Sequence, residues 1–296
     1  MLDSDGLSLI LQRLRLQAEV YVHADFCGSW VVDTSGSRKV PFHLVESGNS
    51  WLHLPGESPR LLTAGELVIF PHDQEHQLCN QDQLPEGVQR NKIPEHNPDL
   101  PSTTLACGSF EFVSRNIWPL LDGLPEVIIL DLTDTQHFGQ THALMQLMIG
   151  ELQQREAGCK AVVDQLAAAL FIHVLRSQLA SGLSQGILAA LFDPQIGQAL
   201  TLLHQRPAEE WSVERLAKEV GMSRSLFSER FRSLAGKTPM RYLAEWRMQE
   251  ARDLLMNTDR SIGVIAEACG YQSEVAFRKA FRAITGNTPG SVRKSR

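Results

Sequence analysis

The sequence predicts a two-domain α+β protein, with a β-rich N-terminal domain over residues 1–190 and an all-α C-terminal domain over 191–296. Three observations carry this expectation. At 296 residues the chain is long for a single hydrophobic core. Residues 194–296 hold 17 Lys and Arg against 11 Asp and Glu, net +6, whereas residues 1–193 hold 11 against 23, net −12. Within the basic part, "GMSRSLFSERFRSLAGKTP" (Gly221 to Pro239) returns as "GYQSEVAFRKAFRAITGNTP" (Gly270 to Pro289).

In the acidic part, short β-rich runs follow one another between Gly, Pro, Asn and Asp: "SWVVDT", "VPFHLVES", "SWLHLP", "ELVIFP", "HQLCN" and "TLACGSFEFV". Regular short strands with turn signals predict a small antiparallel barrel or sandwich over about residues 20–115. The polar, proline-bearing stretch Asn80 to Ser102 reads as a long loop. Beyond the strands, His142 to Glu156 and Lys160 to Ser181 read as helices, the second strongly apolar, within the span of about 140–181. Apolar helices beside a barrel suit either a dimer face or packing on their own sheet.

No apolar run reaches the roughly 18 residues a bilayer-spanning helix needs. No small-residue cleavage site follows the N-terminal "LQRLRLQ", so a cytoplasmic location is expected. Five widely spaced cysteines without a CxxC do not make a disulfide framework.

The duplicated stretch repeats a physical unit. Ser223 and Ser273, Phe227 and Phe277, Phe231 and Phe281, Leu234 and Ile284, Gly236 and Gly286, and Pro239 and Pro289 share one offset of 50 residues. Each copy is preceded by a short helix pattern, "VERLAKEV" behind Ser212 and "IGVIAEAC" behind Ser261, then a glycine turn at Gly221 or Gly270. The second helix of each copy buries Phe227, Phe231 and Leu234, or Phe277, Phe281 and Ile284, at +4 and +3 spacing. Helix, glycine turn, helix is a helix-turn-helix. The opposite faces show Arg224, Ser225, Ser228, Glu229 and Arg232 in the first copy and Glu274, Val275, Arg278, Lys279 and Arg282 in the second. Such a mixture of phosphate-seeking cations with short or acidic side chains suits double-stranded DNA. Between the copies, "PMRYLAEWRMQEARDLLMN" predicts a helix of about 27 Å, long enough to hold two reading heads about one DNA turn apart.

These motifs resemble the AraC/XylS transcriptional regulators, most closely over Arg247 to Pro289. The resemblance implies a C-terminal domain with two helix-turn-helix units, sequence-specific DNA binding, and transcription activation through RNA polymerase. By that resemblance Ser225, Ser228, Glu229, Glu274, Val275, Arg278 and Lys279 occupy base-reading positions, with Glu229 and Val275 departing from the larger polar or basic residues common there.

The stretch "GELVIFPHDQEHQLCN" is similar to the second cupin motif, with Gly65, Pro71, His76 and Asn80 at the expected spacing and Asp73 replacing the usual glycine. The first cupin motif keeps His43 and Gly48 but lacks the His-x-His before them. The resemblance implies a cupin-like β-barrel with flanking helices, sensing an unknown effector and forming a homodimer. His43, His72, His76 and Cys79 are its candidate ligands for a small molecule or a transition metal. Cys27 in "DFCGSW" and Cys107 in "LACGSF" form a second candidate, a partly exposed thiol pair that oxidation would switch, as in an oxidant-responsive subgroup of the same family. The expected protein is therefore a regulator and not an enzyme. Its rivals are a cupin-type metalloenzyme carrying a DNA-binding tail, and an architectural protein that bends DNA without a signal.

Overall fold

A computed structural model describes the chain apart from residues 1–6, 10, 12–15, 96, 98, 113–117, 122, 183–184 and 295–296. Residues 12–15 of the N-terminal stretch read for a leader thus lie outside the described residues. The chain divides into two compact units, one of Leu16–Val113 with Leu124–Ser181, the other built on Gly182–Arg296.

In the first unit the strands are β1 (Leu16–Cys27), β2 (Val31–Val32), β3 (Val40–Ser47), β4 (Asn49–His53), β5 (Arg60–Thr63), β6 (Glu66–Ile69), β7 (Gln77–Cys79), β8 (Ser102–Phe112) and β9 (Ile128–Asp131). They form two antiparallel sheets, ordered β1-β8-β3-β6-β9 and β2-β7-β4-β5. Phe26, Val45, Val68, Leu105 and Cys107 of the first sheet meet Val32, Leu52, Leu62 and Leu78 of the second in one core. The outer face of the larger sheet is also covered. Phe171, on the helix Cys159–Ala180, lies 4.6 Å from Phe110, which stacks on Phe42 at 4.7 Å. Burial on both faces explains why "VPFHLV" reads as a continuous apolar run instead of alternating. The β3–β4 turn depends on Gly48, at φ 72°, where any Cβ would lie 2.4 Å from the Ser102 carbonyl oxygen.

Each β-rich run of the sequence contains a strand, yet three strands, β1, β5 (Arg60–Thr63) and β9, lie in none of those runs. β1 runs twelve residues from Leu16 because β8 pairs with it along that length, and its polar outward residues hide it from an apolar pattern. β9 adds Ile128–Asp131 to the sheet edge beside β6, from beyond the expected barrel. The first apolar helix begins at Thr135, seven residues before His142, because Asp134 caps it by accepting from the His137 N–H.

In the second unit the helices are Ile187–Phe192, Pro194–Gln205, Val213–Glu219, Arg224–Ala235, Pro239–Asn257, Ile262–Ala268, Glu274–Thr285 and Pro289–Lys294. Ile187–Phe192 packs against Arg224–Ala235. The unit therefore takes in chain from Gly182 onward. Two cores lie along Pro239–Asn257. Phe227 and Phe231 pack with Tyr242 near its start. Met248, Ala251 and Leu255 pack with Ile265, Phe277 and Phe281 along its later half.

Candidate nucleic-acid interface

Both helix-turn-helix units are built by the same local devices. A serine caps all four helices: Ser212, Ser223, Ser261 and Ser273 accept from the N–H groups of Arg215, Leu226, Val264 and Ala276. Capping at the third helical residue satisfies a backbone donor that would otherwise face solvent alone, worth about 1 kcal/mol per helix. The first turn of each unit closes through Met222 N–H to the Ala217 carbonyl, or Tyr271 N–H to that of Ala266, at 2.8 and 2.9 Å.

With Phe227 and Phe231, or Phe277 and Phe281, fully buried, the opposite face of each reading helix is left to solvent. Arg224, Ser225, Glu229 and Arg232 are exposed on the first helix and Ser228 is half-buried. On the second, Glu274, Val275, Arg278, Lys279 and Arg282 are all exposed. Val275 is 79% exposed, extreme for a β-branched apolar side chain. Two cations are held by carboxylates. Arg224 reaches Glu214 at 2.7 Å across the first unit, and Arg278 reaches Glu274 at 2.6 Å one turn back on its own helix. Exposed pairs of this kind contribute about 0–1 kcal/mol, so a phosphate or a base edge replaces either carboxylate at little cost. Lys279 and Arg282 make no ion pair among the described residues.

Sequence reasoning missed Leu226, 52% exposed between Ser225 and Phe227. Its signal was present, since an apolar residue one position before Phe227 falls about 100° away from the buried stripe. Arg230, also basic and on the first reading helix, turns instead to Asp193 at 2.6 Å.

In the β-unit the structure brings together two of the four candidate ligand side chains. His43 and His76 are both buried, with their Nε2 atoms 3.2 Å apart and the Thr34 hydroxyl 3.1 and 3.0 Å from them. The proton positions follow from geometry. His76 Nδ1 lies 2.6 Å from the Gln74 carbonyl, which can only accept, so Nδ1 carries the hydrogen and Nε2 is a lone pair. Nε2 therefore accepts from His43 or Thr34. His43 Nδ1 is buried without a hydrogen-bond partner. Burial, and then the neighbouring His76, push the His43 pKa well below the ordinary histidine value; burial likewise lowers that of His76. Phe70 stacks on His76 at 3.6 Å and seals this face of the pair.

The other two candidates are occupied elsewhere. His72 Nε2 lies 3.0 Å from the Leu124 carbonyl, and Cys79 lies 3.3 Å from His53 while its thiol donates to the Gln81 carbonyl. Among the described residues no three His, Cys, Asp or Glu side chains converge as metal ligands. The donors present thus do not fit a resident metal held by three protein ligands.

The exposure and proximity expected of the thiol pair are corrected as well. β1 and β8 do pair, but Cys27 stands opposite Ser102 and Cys107 opposite Val22. Five residues of strand separate the two positions, about 17 Å, well beyond the roughly 7 Å Cα limit for a disulfide. Both are buried, not partly exposed, and desolvation pushes the Cys107 thiol up to about 12.

Two capped helix-turn-helix units with outward cationic faces, on one chain with a two-sheet β-unit, define a DNA-binding regulator. The comparisons agree. Residues 5–180 match a family model described as Cupin, and residues 216–295 match a helix-turn-helix domain. An uncharacterised HTH-type transcriptional regulator of Haemophilus influenzae is 32% identical over 98% of this chain and 99% of its own. A putative AraC-like transcription regulator of Streptomyces lividans is 30% identical over 98% of this chain and 97% of its own. The RCS-specific HTH-type transcriptional activator RclR of Escherichia coli is 27% identical over 86% of this chain and 84% of its own. The chain belongs to the AraC-like transcription regulators that carry an N-terminal cupin domain.

Proposed function

We propose that this regulator reads an operator of two unequal half-sites and activates transcription from it through RNA polymerase, as a cytoplasmic homodimer whose cupin domain receives the signal. The carrying observation is that two identically capped scaffolds expose different faces: Ser225, Ser228, Glu229 and Leu226 on one, Val275, Arg278 and Lys279 on the other. Equal scaffolds with unequal faces read an asymmetric address. Arg224, Arg232 and Arg282 neutralise phosphates, and Arg278 and Lys279 reach base edges in the second major-groove segment. Regulation and not catalysis is its task, in keeping with relatives named as regulators.

Genome-wide mapping of bound DNA supplies the operator, and gel shift at fixed salt tests the assignment. Arg278→Ala and Lys279→Ala are each expected to cost about 1–3 kcal/mol at that operator. Unchanged affinity in both refutes their base-reading role.

For the signal, one relative named as RCS-specific favours oxidation of cysteine as the input. Because Cys27 and Cys107 are buried and five positions out of register, this input requires local opening of the domain before an oxidant reaches either thiol. A Cys27→Ser, Cys107→Ser variant is expected to lose its response to hypochlorite in a reporter assay. A wild-type response retires the thiol reading and leaves a small effector.

A further inference from the structure

Each reading head has its own core on a different half of the connecting helix, which makes the helix the first of two connections between them. Tyr242 serves the first head, and Met248, Ala251 and Leu255 serve the second. A second connection runs through the loop Pro207–Trp211. On one side Arg215, in the first helix-turn-helix, places its guanidinium 4.1 Å over the Trp211 ring and donates to the Glu210 carbonyl at 2.9 Å. On the other side the turn of the second unit lies against the same loop. Gly270, at φ 77°, approaches so closely that a Cβ there would lie 2.6 Å from the Ala208 carbonyl oxygen. Gln272 donates to Glu210 at 2.8 Å.

Arg247 stands at the centre of this junction. From the middle of the connecting helix its Nε donates to the Pro207 carbonyl at 2.7 Å and its terminal nitrogen to the Glu209 carbonyl at 2.8 Å. Its guanidinium also lies over the Tyr271 ring, at 5.8 Å. The fork geometry satisfies two carbonyls at once, which the single ammonium of lysine cannot do in the same way.

We infer that Arg247 is a positioning residue that locks the second reading head to the first, and so sets the half-site spacing this protein accepts. It contacts no DNA in this role; it acts by fixing the angle and distance between Arg224–Ala235 and Glu274–Thr285. Inserting one base pair between half-sites rotates one by about 34° and moves it about 3.4 Å, which a locked pair of heads cannot follow.

The inference rests on two-headed reading, and the test separates the two. Binding is measured by fluorescence anisotropy at fixed salt, on duplexes carrying the mapped operator with zero, one or two base pairs inserted between its half-sites, and on a duplex with one half-site alone. The wild type is expected to weaken about tenfold at the first insertion, equivalent to about 1.4 kcal/mol. Arg247→Ala is expected to bind the native spacing less tightly, to lose less than about threefold on insertion, and to bind the single half-site as the wild type does. A variant that keeps the wild-type insertion penalty overturns the inference, whatever its overall affinity. A wild type indifferent to spacing overturns two-headed reading itself. Should Arg247→Ala fail to fold, Arg247→Lys and the exposed Gln272→Ala decide: flattened spacing profiles support the lock, and wild-type profiles overturn it.

Discussion

Single side chains carry the difference between the two reading helices. Phe227 and Phe231 have counterparts in Phe277 and Phe281, all fully buried, and these matched aromatics hold the scaffold. Several residues that differ face solvent, among them Ser225 and Val275, and Glu229 and Lys279. Val275 stands where the first helix has Ser225, and an isopropyl group at 79% exposure has no hydrogen-bonding role to play. Its chemistry suits the C5-methyl group of thymine. Val275→Ser is therefore expected to relax preference at a single base position of the second half-site by about 1 kcal/mol, read as the ratio of affinities for thymine and uracil at that position. Equal ratios in wild type and variant exclude the contact. Which residues are buried and which exposed was legible in the sequence, because a +4, +3 stripe of aromatic and aliphatic residues tells which face is buried. The partners were not, since nothing in the order of residues pairs Arg224 with Glu214 or turns Arg230 toward Asp193.

At the scale of elements, helices were read more accurately than strands. A helix satisfies its own backbone, so caps such as Ser223 and Ser273 and the glycines after each helix mark its limits locally. Strands are finished by partners far along the chain. β9 exists because Ile128–Asp131 finds the free edge of β6, and β1 extends to Leu16 because β8 is there to pair with it. The same long-range assembly made the His43–His76 pair from β3 and the start of β7. Burial disfavours the charged form of both, since an added proton on either ring places a charge in a desolvated site. The folded pKa values lie below the unfolded ones, so the unfolded chain binds more protons in mild acid and the fold loses stability as pH falls below about 6.5. His43 is expected to contribute to that loss, visible as a falling thermal midpoint between pH 7.5 and 5.5. His43→Gln should flatten that dependence; an equally steep fall in the variant assigns the acid sensitivity elsewhere.

For the whole molecule, charge is the quantity that matters. The net −6 conceals a basic DNA-reading part joined to an acidic β-part. The acidic share does not cancel the local attraction of Arg224, Arg232, Arg278, Lys279 and Arg282 for phosphate, because screening confines such fields to about 8–10 Å in physiological salt. Binding is expected to weaken linearly on a log–log plot against salt, with a slope of about −0.9 for each phosphate neutralised. Arg282→Ala should reduce the magnitude of that slope by about 0.9 and weaken specific and unrelated DNA alike. A loss confined to the operator would move Arg282 from phosphate contact to base reading.

The sequence by itself determined the two-domain class, the duplicated helix-turn-helix and the faces its second helices leave exposed. All three depend on periodicities and caps that operate within a few residues, and repetition doubled their signal. Only the tertiary structure decided which candidate sensor groups share a site. It joined His43 to His76 through Thr34, sent His72 and Cys79 to other partners, and set Cys27 and Cys107 five positions out of register. The physical reason is that contacts between strands are fixed by pairing register, which packing across the whole sheet selects and no short stretch of chain encodes.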